Sequence, residues 1–151
     1  VEKLFYALWQ PGRDPAAWSA RLLALPAALA EAGAERLRIG VPDVPVPEPD
    51  PYADMRKTAP SGFVSFWLNS ARFRDRAEQA LRAAAPKLAG FSVVESTILP
   101  AASPAAGVRE EGFLQVCGFA ALPQLSRAEL WDLWLGRHTA VAVETQKNDV
   151  L

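Results

Sequence analysis

The single histidine of the sequence, His138, is the residue best suited to acid–base chemistry, because imidazole titrates near neutral pH. It lies in LSRAELWDLWLGRHTAVAVE, Leu125–Glu144, where apolar residues recur at helical spacing. Trp134 precedes it by four residues, and Trp131 falls on the same predicted apolar face. A histidine in this position either exchanges protons with a bound molecule or hydrogen-bonds a backbone carbonyl in a packed core. Its spacing alone leaves both interpretations open.

The other chemistry-bearing residues are fewer and less specific. The single Cys117 lies on a predicted strand just before this helix, where it faces a cavity or, more commonly for cysteine, is a small buried hydrophobe. Trp131 and Trp134 are either core residues or a stacking platform for a ligand. One cysteine and one histidine do not make a standard zinc site, and no glycine-rich phosphate or flavin motif occurs. We therefore expect no metal and no cofactor.

Charge and hydropathy narrow the range of partners. The formal net charge is -1, and lysine and arginine are scattered, which gives no electrostatic reason for a nucleic-acid partner. No apolar run is long enough to span a bilayer, so we expect no membrane partner. The N-terminal residues lack the pattern of a secretory signal, and one cysteine excludes an internal disulfide. These features favour a cytoplasmic protein.

Residues 1–99 predict a complete βαββαβ unit. Strands are expected over Glu2–Trp9, 34–41, Ser61–Asn69 and Ala89–Leu99. Asp14 and Pro15 predict the start of a first helix that runs to about Ala32 with a kink at Pro26. Asn69 or Ser70 caps a second helix, whose predicted apolar side carries Phe73, Ala77, Leu81 and Ala84. The order is that of a ferredoxin-like unit, interrupted by an extended proline-rich loop over 42–60.

Residues 100–111 have the composition of a linker, and the pattern then restarts over 112–151. The restart predicts a strand over 112–122, a helix capped by Ser126 and the beginning of a second strand. When Ser126 is aligned with Asp14, His138 falls beside Pro26, so the first unit lacks the histidine. A complete second unit needs two more strands and a helix. We therefore expect either that the chain is part of a longer one or that another chain supplies the missing strands.

The stretch LSRAELWDLWLGRHTAVA resembles the signature of the EthD family, whose W-x3-H pattern is matched by Trp134 and His138. The match covers roughly the last forty residues, and the first unit agrees only in the order of its elements. The resemblance implies an α+β fold of the dimeric α+β barrel superfamily. In that fold two ferredoxin-like units place their sheets face to face around an apolar pocket. Here both units would lie in one chain, the second incomplete.

The resemblance also implies a function. His138 would be a general acid or base acting on a small hydrophobic or aromatic molecule, in an isomerase, cyclase or oxygenase-type reaction without a cofactor. Trp134, Trp131 and Cys117 would bind that molecule, and the chain would be able to form a homo-oligomer. Two rival hypotheses are a non-catalytic ligand-binding or assembly module and a haem-binding barrel with His138 as the proximal ligand. Visible absorbance distinguishes the haem protein from the others.

Overall fold

The computed structural model describes residues 1–42, 58–98, 105–110, 114, 116, 118 and 120–146. The chain divides into two compact units, unit 1 (Val1–Glu95) and unit 2 (Ser96–Leu151). The predictions for residues 43–57 of the proline-rich loop, for residues 100–104 of the linker and for Cys117 lie outside the described residues.

The described residues of unit 1 form four strands and three α-helices. The strands are β1 (Glu2–Leu8), β2 (Glu35–Gly40), β3 (Gly62–Leu68) and β4 (Leu88–Val93). The helices are α1 (Pro15–Leu23), α2 (Leu25–Glu31) and α3 (Asp75–Ala84), with a 3₁₀ turn over Ala71–Phe73. The strands form one sheet in the order β2-β3-β1-β4, in which every neighbouring pair is antiparallel. The predicted α+β class is confirmed at this level.

Local sequence signals explain where the first helices begin and end. The Asp14 carboxylate accepts hydrogen bonds from the backbone N–H groups of Ala16 (2.9 Å) and Ala17 (3.1 Å), which fixes the start of α1. The predicted kink is a break at Ala24, because Pro26 has no N–H to continue the ladder of α1. Gly33 follows α2 with φ of +85°, a conformation that favours glycine.

The helices cover one face of the sheet. Alternation along β1 and β3 directs one set of side chains toward them, and these are Leu4, Tyr6, Leu8, Val64, Phe66 and Leu68. The helices contribute Trp18, Leu22, Leu25, Leu29, Ala77, Leu81 and Ala84 to the same cluster. Burial of these apolar side chains is the main source of stability for unit 1.

The predicted apolar side of α3 is wrong at one position. Ala77, Leu81 and Ala84 are buried as predicted, but Phe73 is 63% exposed. The reason is the 3₁₀ turn over Ala71–Phe73, which has three residues per turn and rotates Phe73 away from the stripe that begins in α3.

The described residues of unit 2 include a long helical stretch, made of α4 (Arg127–Trp131), a π-helical segment (Asp132–His138) and α5 (Thr139–Gln146). Ser126 caps it as predicted: its hydroxyl accepts from the Glu129 N–H (3.2 Å), and the Glu129 carboxylate accepts from the Ser126 N–H (2.8 Å). These hydrogen bonds lower the pKa of Glu129. Within 112–122, the described residues 114, 116, 118 and 120–122 belong to no strand.

Candidate functional site

The π-helical segment positions the tryptophan–histidine pair of unit 2. At its end, both the backbone N–H and the hydroxyl of Thr139 donate to the carbonyl oxygen of Trp134, the latter at 2.8 Å. This i to i−5 pattern is the π-helical one, and most π segments are single-turn insertions that occur frequently at functional sites. The seven residues Asp132–His138 are therefore an unusually long example.

The rings of Trp134 and His138 stack on each other. Their centroids lie 4.3 Å apart and their planes differ by 16°. The predicted sharing of one helix face by these two residues is confirmed by this contact. His138 is exposed, whereas Trp134 is partly buried. The choice between a proton-exchanging and a structural histidine stays open, because it depends on what faces this helix.

Trp131 lies one turn before this pair and is 47% exposed. The described side chains of the helical stretch include none that is buried. The binding roles of Trp131 and Trp134 and the catalytic role of His138 stay predictions. Cys117 lies outside the described residues.

A second constellation lies in unit 1, between α3 and the sheet. A cleft of about 260 Å³ is lined by Leu4, Tyr6, Ala71, Arg74, Glu78, Gly90, Phe91 and Ser92. The Tyr6 hydroxyl donates to Glu78 Oε1 at 3.1 Å. The same carboxylate pairs with Arg74 Nε (3.2 Å) and Arg82 Nη2 (2.9 Å), one turn away on either side. This tyrosine–glutamate cluster joins the buried face of the sheet to α3.

The electrostatics of the cluster keep the phenol protonated. Burial, followed by the Glu78 charge, raises the pKa of Tyr6. Burial also tends to raise the pKa of Glu78, but the hydrogen bonds from Arg82 and Tyr6 and the charges of both arginines outweigh it and lower that pKa. A phenol that is hydrogen-bonded to a carboxylate and has a raised pKa is a poor proton donor to another molecule. The cluster therefore anchors Tyr6 rather than serving acid–base chemistry.

We expect the anchoring of Tyr6 to be visible at alkaline pH. Its pKa is raised in the folded chain, so above the unfolded value of about 10 only the unfolded chain releases the proton. The stabilisation is fully present below pH 10 and is lost as the pH rises. Tyr6→Phe should therefore make the alkaline fall in the free energy of unfolding shallower, by less than about 1.4 kcal/mol per pH unit.

Urea denaturation of both proteins between pH 8 and 11 measures this difference. Tyr52, the second tyrosine of the sequence, is retained in both chains, so its ionisation cancels. Equal slopes for the two proteins would contradict the prediction.

The sheet face opposite the helices is apolar. The name open face is used for the side chains that β1, β3 and β4 place there, which by register are Lys3, Phe5, Ala7, Phe63, Ser65, Trp67, Ala89, Phe91 and Val93. At its edge, Glu35 and Arg38 of β2 pair with Trp67 and Ser65. Phe5 and Phe91 are direct cross-strand partners, and the rings of Phe5 and Phe63 stack with centroids 5.8 Å apart. The described helices of unit 1 direct their buried side chains to the other face. Sequence alternation alone separated these two sets of β1 residues but did not say which set lies under the helices.

One end of the open face is cationic. Lys3 Nζ and Arg36 Cζ each lie 5.8 Å from the Trp67 ring centroid, within the range of cation–π attraction. Lys3 also forms an ion pair with Glu95. Arg36 adopts a φ of +50° at an irregularity in the pairing of β2 with β3. Sequence analysis missed this site, because a backbone irregularity of this kind carries no residue signature when its residue is arginine.

In the part of the chain that the structure describes, no three His, Cys, Asp or Glu side chains are grouped so that they could hold a metal ion. No described helix combines the length and the apolar character that crossing a bilayer requires. Comparison of the sequence with models of known families finds no match. A search of the curated proteins also finds none.

Proposed function

We propose that the chain is an EthD-like protein that binds or acts on a small hydrophobic or aromatic molecule. The open face is the surface proposed for binding in unit 1, and His138 is the acid–base group proposed separately in unit 2. The observation that carries this proposal is the open face itself. Phe5, Phe63 and Phe91 lie side by side on it, and Phe91 is 53% exposed. A contiguous apolar surface of this kind marks a ligand-binding or interaction site.

The connectivity of unit 1 supports the finer fold proposal. A sheet in the order β2-β3-β1-β4, with helices after β1 and after β3 on the same face, is the arrangement of a ferredoxin-like unit. Such a unit leaves its second sheet face uncovered. In the dimeric α+β barrel superfamily that the sequence resembles, a second such unit closes that face into an apolar pocket.

The role proposed for His138 follows from its chemistry and its contact with Trp134. Stacking on the indole covers one face of the imidazole, and the side chain as a whole is exposed. An imidazole so held can remove a proton from a small molecule and return it, which is the step common to isomerisations and cyclisations.

We expect the open face to bind a neutral aromatic probe. N-phenyl-1-naphthylamine, whose fluorescence rises in apolar surroundings, should bind the full chain, and Phe91→Ser should weaken this binding about tenfold because an exposed aromatic contact is lost. Leu23→Ser is the matched control, since Leu23 is 64% exposed and lies on α1. A probe that binds both variants equally would exclude the open face as the binding wall.

We expect His138→Gln to slow proton transfer strongly without affecting folding. The assay follows the exchange of carbon-bound hydrogen for solvent deuterium in a panel of small aromatic ketones, measured by NMR. For any compound that the full chain exchanges, the variant should be slower by about 10²- to 10⁴-fold, the range typical of a general base. Arg137→Gln, a neighbouring exposed residue, is the control and should retain the rate. Full exchange by His138→Gln would remove the catalytic role and leave a binding protein.

A further inference from the structure

We infer that the molecule bound at the open face carries a negative charge, and that the Arg36 guanidinium recognises it beside the Trp67 ring. This inference rests on the proposed function, because it names the class of ligand for the same wall. The class is a small planar aromatic or aryl compound with a carboxylate or sulfonate group.

The position of the Arg36 side chain is set by an irregularity in the backbone of β2. Glu35 pairs with Trp67, and Arg38 pairs with Ser65, so β2 spans three residue steps where β3 spans two. This extra residue is a β-bulge, a feature that re-aims side chains and is frequent next to functional sites. Arg36 takes the left-handed conformation, which arginine rarely adopts and which is unfavourable for it. The result is that Arg36 lies against Trp67 on the open face instead of alternating to the helix side.

The two cations at Trp67 differ in what else they contact. Lys3 is paired with Glu95, so its charge is largely matched. Arg36 is exposed, and its guanidinium contacts the indole of Trp67. Within the described residues it forms no ion pair with a carboxylate. A planar guanidinium stacked on an aromatic ring keeps its N–H groups directed outward, in the fork that matches a carboxylate or a sulfonate.

Two cations of the described residues, Lys3 and Arg36, contact the Trp67 ring, and Lys3 is paired with Glu95. Arg36 is therefore the cation placed to meet a charged group on a ligand. Away from this end, the side chains of the open face are apolar except for Ser65. The face is therefore complementary to a molecule with an apolar body and an anionic end.

The spacing sets the size of that molecule. Trp67 and Phe63 are four residues apart on β3, which corresponds to about 13 Å along an extended strand. Phe5 of β1 pairs with the intervening Ser65, and Phe91 of β4 pairs with Phe5 on the far side of β1. A body of two or three fused or linked rings fits along Phe63 and Phe5 while its anionic end reaches Arg36.

Two naphthalene probes test the inference on the full chain. 8-Anilinonaphthalene-1-sulfonate is an anion, whereas N-phenyl-1-naphthylamine has the same ring skeleton without the sulfonate. We expect Arg36→Gln to raise the Kd of the anionic probe about tenfold and to leave that of the neutral probe within about twofold. Arg76→Gln is the matched control, because Arg76 is an exposed arginine on α3, on the other side of the sheet, and should change neither Kd.

A second variant separates recognition from folding. Arg36→Gly relieves the left-handed backbone, so its urea midpoint should not fall below that of the parent chain, while its affinity for the anionic probe should fall as in Arg36→Gln. Weaker binding together with undiminished stability is the signature of a residue kept for its ligand rather than for the fold.

The outcomes distinguish this inference from the proposed function. If Phe91→Ser weakens both probes but Arg36→Gln changes neither, the apolar wall stands and the anionic ligand class is overturned. If neither probe responds to Phe91→Ser, the proposed function fails and the inference fails with it. If the chain is a dimer by sedimentation and dissociation is required before either probe binds, a second copy occupies the open face and the ligand is excluded from it.

Discussion

Replacement of Trp18 by alanine is expected to lower the free energy of unfolding of unit 1 by about 3–5 kcal/mol. Trp18 is 1% exposed, and its ring lies in the cluster between α1 and the sheet. The indole N–H donates to the carbonyl oxygen of Ser61, the residue before β3, at 3.1 Å. The substitution therefore also removes the donor of this hydrogen bond. A native chain of this size has only about 5–15 kcal/mol of stability, and the loss is therefore a large fraction of it.

Urea denaturation followed by far-UV circular dichroism measures this effect. The matched control is Trp131→Ala, because Trp131 is 47% exposed and its truncation should change the stability by less than about 1 kcal/mol. Equal losses for the two variants would mean that Trp18 is not the central packing residue that its burial indicates.

The elements of unit 1 were predictable wherever the signal is local. The Asp14 cap, the Pro15 start and the break before Pro26 each depend on residues a few positions apart, and all three occur in the structure. The stacking of Trp134 on His138 is also local, since residues four apart on a helix are neighbours. These features need no knowledge of what the helices pack against.

The contacts that depend on sheet register were not predictable. Tyr6 meets Glu78 because β1 presents that face to α3, and alternation along β1 is equally consistent with the opposite choice. Arg36 reaches Trp67 only through the bulge between β2 and β3. Phe73 was assigned to the wrong side because the 3₁₀ turn changes the period before α3. In each case, the side of the strand or helix that a residue faces is set by partners far away in the sequence.

In the predicted site of unit 2, too, the local features were predictable and the tertiary ones were not. The sequence placed Trp134 and His138 on one face, which is a property of the helix alone. The pocket that they would line depends on what faces them, which is a tertiary property. The π-helical form of Asp132–His138 was not predicted either, because the apolar spacing of this stretch fits a regular α-helix. The chemical proposal for His138 therefore rests on residue type and on one observed ring contact.

Gly90→Ala is expected to destabilise unit 1 by about 1–3 kcal/mol, although alanine is usually the better residue in a strand. A Cβ at Gly90 would lie 2.5 Å from Cε1 of Tyr6, its cross-strand partner. The tyrosine has little freedom to move, because its ring stacks on Phe66 with centroids 5.6 Å apart and its hydroxyl is held by Glu78. The entropic advantage of removing a glycine, about 0.4–1 kcal/mol, is smaller than this steric cost.

A double-mutant cycle identifies the cause of that loss. Gly12→Ala is the control, since a Cβ there meets nothing within 4 Å and should leave the urea midpoint unchanged or slightly higher. In a Tyr6→Leu background the ring that obstructs the new methyl group is absent, so Gly90→Ala should cost at least 1 kcal/mol less than in the parent chain, about the coupling expected for residues in contact. Additive effects of the two substitutions would show that the close approach of Gly90 to Tyr6 is not what the alanine disturbs. Coupling of that size would instead establish that the glycine is required in β4 because the anchored tyrosine occupies the space beside it.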